Sequence, residues 1–488
     1  MATANLGMSE PYDAIIIGSG AGGSAVAYKL VKAGSRVLLL EKGDYLPRDG
    51  STLDVEQVFR QGRFRNQQAW VDRRKRALVP EEYYNVGGKT KWYGAALLRF
   101  SPHEFEADTP HQCLPWPLSY DDLAPWYDQA EKLLGVHTFE HEAELQRLIE
   151  RITAAPSDWR RESLPLGLRS AILQDEHEAK HFDGFASVAN FKADAERDLL
   201  KEVLSSPGCE LQVDCEVSAL IHAKGDPATL IGVDCTNGQR YHAPQIILAA
   251  GAMSSPRLLQ RYLKASGLDE TLPSAALVGA HFKMHINSAL LSFSPFKRHD
   301  VLRKTAIFLN RRFPHSSVQP LGWLDGEILA TQLPATVPQF VANFLGARAY
   351  GFFVTTEDGS DARNRISETD RGEPQMDYEL ARLAPAWAEH QAIIRAFKAA
   401  LLRCGLVSAA RYMGNEGTAH ALGSLVMGDD PQRSVVDARG RVHGLRNLYV
   451  ADGSVLPRAS RVNPALTIYA WGLRLGEYLA KEMEHATR

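Results

Sequence analysis

The sequence predicts an α/β fold, a parallel sheet with helices packed on it, in a chain of two or three folding units. Three observations predict it. The chain opens with an apolar run that turns through spaced glycines into a helical pattern and then into a second apolar run. A like arrangement of buried strand, glycine and helix recurs at Gln245–Gln260. At 488 residues the chain also exceeds the ~100–200 residues of one ordinary domain.

The opening passage is "YDAIIIGSGAGGSAVAYKLVKAGSRVLLLEKG". Ala14 to Ile17 suit a strand buried on both faces. Gly18, Gly20 and Gly23 give G-x-G-x-x-G at the turn out of that strand, with Ala21 at the start of the helix. Ala25, Leu30 and Val31 continue at helical spacing, and Gly34 is a natural C-cap. Arg36 to Leu40 read as a second strand that ends at Glu41-Lys42. Each piece has a physical task. Gly18 permits the tight turn, Gly20 lets backbone approach a pyrophosphate, and Gly23 allows close packing of helix on strand. The helix N-terminus offers free N–H groups and partial positive charge to phosphates. Glu41 can accept hydrogen bonds from both ribose hydroxyls, and an acid there argues against a 2′-phosphate. The unit is thus Rossmann-like, and its ligand is FAD or NAD.

Composition excludes other classes. Hydrophobic residues make up 45% and charged residues 23%, ordinary for a globular chain. A formal net charge of −3 gives no reason to expect nucleic acid or an anionic membrane as partner. The densest basic stretch, Arg60 to Arg76 with Arg63, Arg65, Arg73, Arg74 and Lys75, reads as a solvated face. Cys113, Cys209, Cys215, Cys235 and Cys404 contain no C-x-x-C pair, so neither a zinc site nor a disulfide framework is expected. The start, "MATANLGMSEPYD", lacks a basic n-region followed by an apolar h-region and does not read as a signal peptide. No stretch approaches the ~18–20 apolar residues of a membrane span. The expected compartment is the cytoplasm, or the periplasm if the chain is co-exported with a signal-bearing partner.

Two further stretches decide the cofactor. "YYNVGGKTKWYGAALLRF" (Tyr83 to Phe100) sets Gly87, Gly88 and Gly94 before an apolar run, and "QIILAAGAMSSPRLLQ" carries Ala250 and Gly251 between strand and helix. Near the end, "HALGSLVMGDDPQRSVVDARGRVHGLRNLYVADGSVLPRASRVNPALTIYAWGLRLGEYL" contains H-x-x-G, VVD, RVHG, LYVADGS and NPALT in order. Ahead of that block stands "TTEDGSDARNRISE" (Thr355 to Glu368). Together these resemble the glucose-methanol-choline family of FAD oxidoreductases, in a short bacterial, sugar-dehydrogenase-like form. The resemblance touches both ends and the middle of the chain; ~140–190 and ~290–350 carry no placed motif. There are departures. Lys89 and Thr90 stand at serine positions of the family signature, and Tyr93 at its asparagine. No histidine lies between Gly87 and Phe100, where some members attach FAD covalently, so the resemblance implies non-covalent FAD.

The resemblance implies a Rossmann-like FAD unit assembled from 1–105, 195–290 and 410–488. A discontinuous α+β substrate unit, 106–194 and 291–409, is built on an antiparallel sheet. Within the latter, Ser119 and Asp122 form a capping box for a helix along "SYDDLAPWYDQAEKLLG", stopped at Gly135. Pro385 to Gly405 is a second amphipathic helix. "CELQVDCEVSALI" reads as strands with Val213 and Val217, and in the family backbone near Val217 meets the adenine. The implied FAD contacts are Gly18, Gly20, Ala21, Gly23, Glu41, Lys42, Gly87, Gly88, Thr90, Tyr93, Gly94, Val217, Ala250 and Gly251. They continue with Asp452 for the ribityl hydroxyls, Gly453, and Asn463, Pro464 and Thr467 at the start of the last helix. The N-terminus of that helix suits the negative charge of reduced flavin.

A histidine in H-x-x-G and a second residue one strand later face the flavin's reactive edge in this family. Here these are His420 and Asn463. Oxidising an alcohol needs a proton taken from oxygen and a hydride moved from carbon to flavin N5. A neutral imidazole suits the first task; Asn463 can hold the oxygen but cannot be a base. His281 and His285, spaced i, i+4, would suit a metal on a helix but have no third ligand, so no metal is expected; His285 reads as structural and His443 as a loop residue. The implied reaction is oxidation of a CH–OH group, first of a sugar or glycoside. A hydrophobic alcohol or sterol is the alternative substrate, and a non-redox FAD-containing lyase the alternative activity. The electron acceptor, oxygen, a quinone or a cytochrome, and a possible small partner subunit stay open.

Overall fold

The computed structural model describes residues 12–334 and 336–487. The start of the chain, on which the signal-peptide reading rests, lies largely outside the described residues. Among the described residues no helix is long and apolar enough to cross a membrane.

The parallel sheet has five strands in the order Leu448–Val450, Gln245–Leu248, Ala14–Ile17, Val37–Leu40, Cys209–Gln212. Its register pairs Ala14 with both Gln245 and Val37. The strand Ala14–Ile17 is buried on both faces, as its unbroken apolar run requires. Each fully buried Ile or Leu there contributes about 1.5–3 kcal/mol. The second strand begins at Val37 rather than Arg36, whose carbonyl still accepts from Asp13 N at 2.8 Å and Ala14 N at 3.4 Å. Val213 falls outside both strands of its passage; Val217–Ala223 belongs to a separate three-stranded antiparallel sheet.

The helix Ala21–Lys32 follows the first glycine turn, and Gly34 stands one residue past its C-cap in the left-handed region at φ 92°. The C-terminal helix Ala465–Thr487 lies along it at close range: a Cβ on Gly472 would come within 2.6 Å of Gly22 O. A third helix, Tyr120–Leu133, carries the expected capping box at Ser119 and Asp122. It was assigned to the substrate unit, yet it reaches the C-terminal helix, with Tyr127 Oη 2.8 Å from Thr467 Oγ1.

The second large sheet is antiparallel, in the order Val407–Tyr412, Ile286–Phe293, Ala349–Thr356, Phe313–Pro320, Ala306–Asn310, Trp159–Ser163. The helix Ala384–Arg403 covers it, burying Ala386, His390, Ile393, Phe397, Ala400 and Leu401 at helical spacing. The basic stretch after Arg60 includes a hairpin, Trp70–Val71 with Ala77–Leu78, whose Trp70 is buried while Arg73, Arg74 and Lys75 at its turn face solvent. The C-terminal ends of four parallel strands run into Gly18, Glu41, Ala249 and Ala451, and the space beyond them is where an α/β sheet of this kind holds a ligand.

Candidate active site

A cavity of about 1670 Å³, counting its open mouth, runs over those strand ends. Its wall includes Gly18, Gly20, Ala21, Glu41, Lys42, Gly88, Thr90, Tyr93, Gly94, Val217, Ala250, Gly251, His420, Asp452, Gly453, Asn463 and Pro464. Three expected contacts are not on it. Gly23 packs the helix onto the strand, since a Cβ there would meet Gly18 O at 2.0 Å. Gly87 donates its N–H to Ser19 Oγ at 3.0 Å. Thr467 turns its hydroxyl to Tyr127.

The glycine turn is built in two different ways. Gly18 sits at φ 107°, and a Cβ on it would strike Ala249 O at 2.4 Å, so protein geometry demands the glycine. Around a Cβ on Gly20 there is no protein atom within 4 Å. That space faces the cavity, which is the cradle a pyrophosphate needs. The N-termini of two helices line the same cavity, at Ala21-Gly22 and at Pro464-Ala465. Both present partial positive charge to an anionic ligand.

Glu41 is buried and accepts from Ser19 N at 3.0 Å, Ser19 Oγ at 2.6 Å and Gly43 N at 3.0 Å. Burial raises its pKa, partly offset by these donors. The Lys42 amide acts on it as well, and the carboxylate stays on the cavity wall, where ribose hydroxyls are expected. Asp452 is bonded through both of its oxygens. Its Oδ2 accepts from Gly251 N at 2.8 Å and Ser255 Oγ at 2.5 Å, and its Oδ1 from the amide and hydroxyl of Ser454. With these bonds Asp452 ties two cavity loops together while standing on the cavity wall. Tyr93 commits its hydroxyl to Ala193 O at 2.7 Å and shows the cavity its ring.

At the other end of the cavity, His420 and Asn463 come together, with Asn463 Nδ2 3.3 Å from His420 Nε2. Gln319 Nε2 donates to Asn463 Oδ1 at 2.7 Å, which turns the amide nitrogen toward the imidazole. Enclosure by protein lowers the His420 pKa well below the usual histidine value, and His285, Lys89 and Lys304 add to the effect. Lys304 pairs with Asp183 at 2.9 Å, and Lys89 pairs with Glu82 and donates to Thr418 O at 2.8 Å. The site therefore carries a neutral base, a neutral amide and two neutralised cations.

His281 and His285 do not lie on a helix: both have left-handed backbone, at φ 61° and 62°, before the strand that starts at Ile286. His285, read as structural, reaches the site: its Nδ1 stands 2.8 Å from His420 Nδ1. Its distance from residue 420 in the chain left no local pattern to reveal this. Ser19, Glu82, Tyr84, Cys215 and Arg257 also line the cavity without having been anticipated; Ser19, Tyr84, Cys215 and Arg257 lay inside recognised stretches, Glu82 just outside one. His443 is the loop residue expected, held by Ser434 and Gly428.

Among the described residues, His111, His315 and Glu389, and also Cys113, His315 and Glu357, lie close enough to hold a metal. The His111 and His315 rings are stacked, with centroids 3.6 Å apart and planes 8° apart, so their in-plane lone pairs run parallel instead of converging. His315 lies between Glu357 at 3.0 Å and Asp108 at 3.2 Å. Burial alone would lower its pKa, and Glu357, Glu389 and Asp108 outweigh burial and raise it. The cluster is an ion-pair network.

A nucleotide cradle over parallel strand ends, with a base and an amide at its far end, defines a flavin-type oxidoreductase. Residues 13–329 match the family model for FAD dependent oxidoreductase and residues 360–472 that for GMC oxidoreductase. The chain is an FAD-dependent oxidoreductase acting on CH–OH groups and belongs to the GMC family. It is 26% identical over 514 residues to paromamine 6'-oxidase of Streptomyces fradiae, covering 97% of this chain and 92% of that protein. It is 24% identical over 544 residues to 2-methyl-1,2-propanediol dehydrogenase of Mycolicibacterium austroafricanum, covering 97% and 96%. A solved formate oxidase of Aspergillus oryzae superposes with a TM-score of 0.72 at 14% identity over 97% of this chain and 99% of that one, a likeness of fold.

Proposed function

We propose that the chain oxidises an alcohol carbon of a sugar or glycoside, with His420 Nε2 taking the hydroxyl proton and Asn463 holding the hydroxyl oxygen. The observation that carries this is the 3.3 Å approach of Asn463 Nδ2 to His420 Nε2 on the wall of the nucleotide cavity. Bound FAD supplies the two-electron acceptor for the hydride that leaves the alcohol carbon. A substrate hydroxyl that displaces the Asn463 N–H from Nε2 can donate to Nε2 and accept from the freed Asn463 amide. The depressed His420 pKa keeps the imidazole neutral and ready to accept. Gln319 prevents the Asn463 amide from flipping its oxygen toward the base.

Two charged pairs near the base, Lys89 with Glu82 and Lys304 with Asp183, favour a hydroxyl-rich substrate over a sterol. The relatives named for paromamine and for a propanediol point the same way. FAD is held without a covalent bond: no histidine lies between Gly87 and Phe100, and His420 is the one histidine on the described cavity wall. Acid precipitation then releases FAD into the supernatant. We take 1–105, 195–290 and 410–488 as the FAD unit and 106–194 and 291–409 as the substrate unit; the parallel sheet, drawn from three separated pieces, supports this.

The test is anaerobic bleaching of the flavin over a panel of sugars, glycosides, amino sugars, diols and sterols. Sugars or glycosides should reduce it fastest, and His420→Ala should slow that reduction at least ~10²-fold with FAD retained. Reduction by sterols alone would overturn the substrate reading, and near-normal reduction in the variant would overturn the role of His420.

A further inference from the structure

His285 is 1% exposed and sits directly before the strand Ile286–Phe293. Its Nε2 lies 3.0 Å from Ala459 O and 2.9 Å from Ser460 O. Carbonyl oxygens only accept, so that nitrogen carries a proton. Its Nδ1 lies 2.8 Å from His420 Nδ1, a contact that needs one proton between two nitrogens. In a neutral His285 the proton is already on Nε2, so Nδ1 has only its lone pair. The shared proton then sits on His420 Nδ1, and the lone pair of His420 is left on Nε2, beside Asn463.

We propose that His285 is a positioning residue that holds His420 in its Nδ1–H tautomer and thereby makes Nε2 the proton acceptor. This rests on the reading of His420 as the base. The rival placement makes His285 an imidazolium, which would donate from Nδ1 and force His420 to carry its proton on Nε2, where it could accept nothing. That charge would join the lysines already around the pair. Lys283 is buried two residues away, and Lys89 and Lys304 flank His420. Asp358, the acid facing His285, is already committed to Met284 N at 2.9 Å, His285 N at 3.2 Å and the Tyr378 hydroxyl at 2.9 Å.

The backing of His285 is rigid. Ser460 donates its N–H to Glu357 Oε1 at 3.1 Å and its hydroxyl to Glu104 Oε1 at 2.7 Å. Three residues on, the same loop carries Asn463. One segment thus supplies the carbonyls behind His285 and the amide before His420. When His420 gains a proton, its Nδ1–H bond to His285 becomes charge-assisted and strengthens. The device orients a base from behind, as a triad acid does, but with a neutral partner.

The proposal is tested by 15N spectra of the FAD-bound protein labelled at histidine, and by two variants. One signal should report an Nδ1-protonated ring and vanish in His420→Ala; another should report an Nε2-protonated ring and vanish in His285→Leu. His285→Leu should keep FAD and slow anaerobic flavin reduction ~10²-fold. His285→Asn, whose side-chain oxygen can accept where Nδ1 did, should recover about tenfold of that. An Nε2-protonated His420 overturns the proposal, and so does a His285→Leu rate within about threefold of the parent while His420→Ala is slow. If His420→Ala is itself near normal, the reading of the base fails first. Should His285→Leu fail to fold, the parent's 15N spectrum decides alone.

Discussion

Gly20 and His420 each separate what the fold needs from what the chemistry needs. A Cβ on Gly20 meets no protein atom within 4 Å, so Gly20→Ala should fold and melt like the parent when both are stripped of FAD. It should still weaken FAD binding by about tenfold or more, about 1.4 kcal/mol, because the methyl occupies the phosphate's approach. Titration of apoprotein with FAD checks this; unchanged affinity would mean the pyrophosphate does not sit there. For His420 the prediction concerns pH. Its folded pKa lies below the ordinary value, first through burial and then through His285, Lys89 and Lys304. Only the neutral form accepts a proton, so kcat/KM should stay flat from neutral pH down past ~6.5 and fall at lower pH. An acid limb centred above pH 7 would contradict the assigned environment. At this scale the sequence was legible wherever a residue's neighbours in the chain are also its neighbours in space. The strand, the glycines and Glu41 could be read that way. Asp452 and Thr467 could not, because their partners, Gly251 with Ser255 and Tyr127, stand far away in sequence.

The helix Ala384–Arg403 shows the same division among elements. Its apolar period announced it, and its observed ends lie within two residues of the expected Pro385 to Gly405. The period puts His390 on the face of Ala386 and Ile393 but could not reveal what its nitrogens meet there. There its Nε2 is 2.8 Å from Ser288 Oγ and its Nδ1 2.8 Å from Thr356 Oγ1, pinning the helix to two adjacent strands. Burial pushes its pKa down to about 3. The sign follows: below ~6.5 the unfolded chain binds a proton that the folded protein refuses, so stability is lost as pH falls from there toward 3. Across two pH units the loss reaches about 2–3 kcal/mol from this group. Urea unfolding at pH 6.5 and 4.5 should show a smaller drop in His390→Gln than in the parent, by roughly that amount. An equal drop would mean His390 titrates normally and is not enclosed. His281, lowered to about 4 by burial and then by Lys283, acts in the same direction in both proteins and cancels in the comparison.

On the scale of the whole molecule, the two large sheets meet at the site, and a buried ion pair ties them. Arg458 follows the last parallel strand; Glu357 follows the antiparallel strand Ala349–Thr356. Their side chains are 2% and 0% exposed and stand 2.7 Å apart. Burial alone would raise the Glu357 carboxyl, but the Arg458 guanidinium and the His315 imidazole outweigh it and hold it well below the usual carboxylate range. No local pattern in the "TTEDGSDARN" passage tells that residue 357 will face residue 458. A pairing across a hundred residues is invisible to periodicity, although the passage itself could be recognised. The pair also sets the site, because Glu357 Oε1 receives the Ser460 N–H in the loop that carries Asn463. Glu357→Gln keeps the shape but leaves Arg458 buried without its counter-charge, which costs about 3–5 kcal/mol. The expected outcome is a clear fall in the urea midpoint, together with slower flavin reduction at saturating substrate as the 459–463 loop loses its anchor. A lowered midpoint with an unchanged reduction rate would separate the two roles, leaving the pair as a tie between sheets with no hold on the reacting groups. An unchanged midpoint would show that Arg458 finds another partner and that the sheets are joined elsewhere.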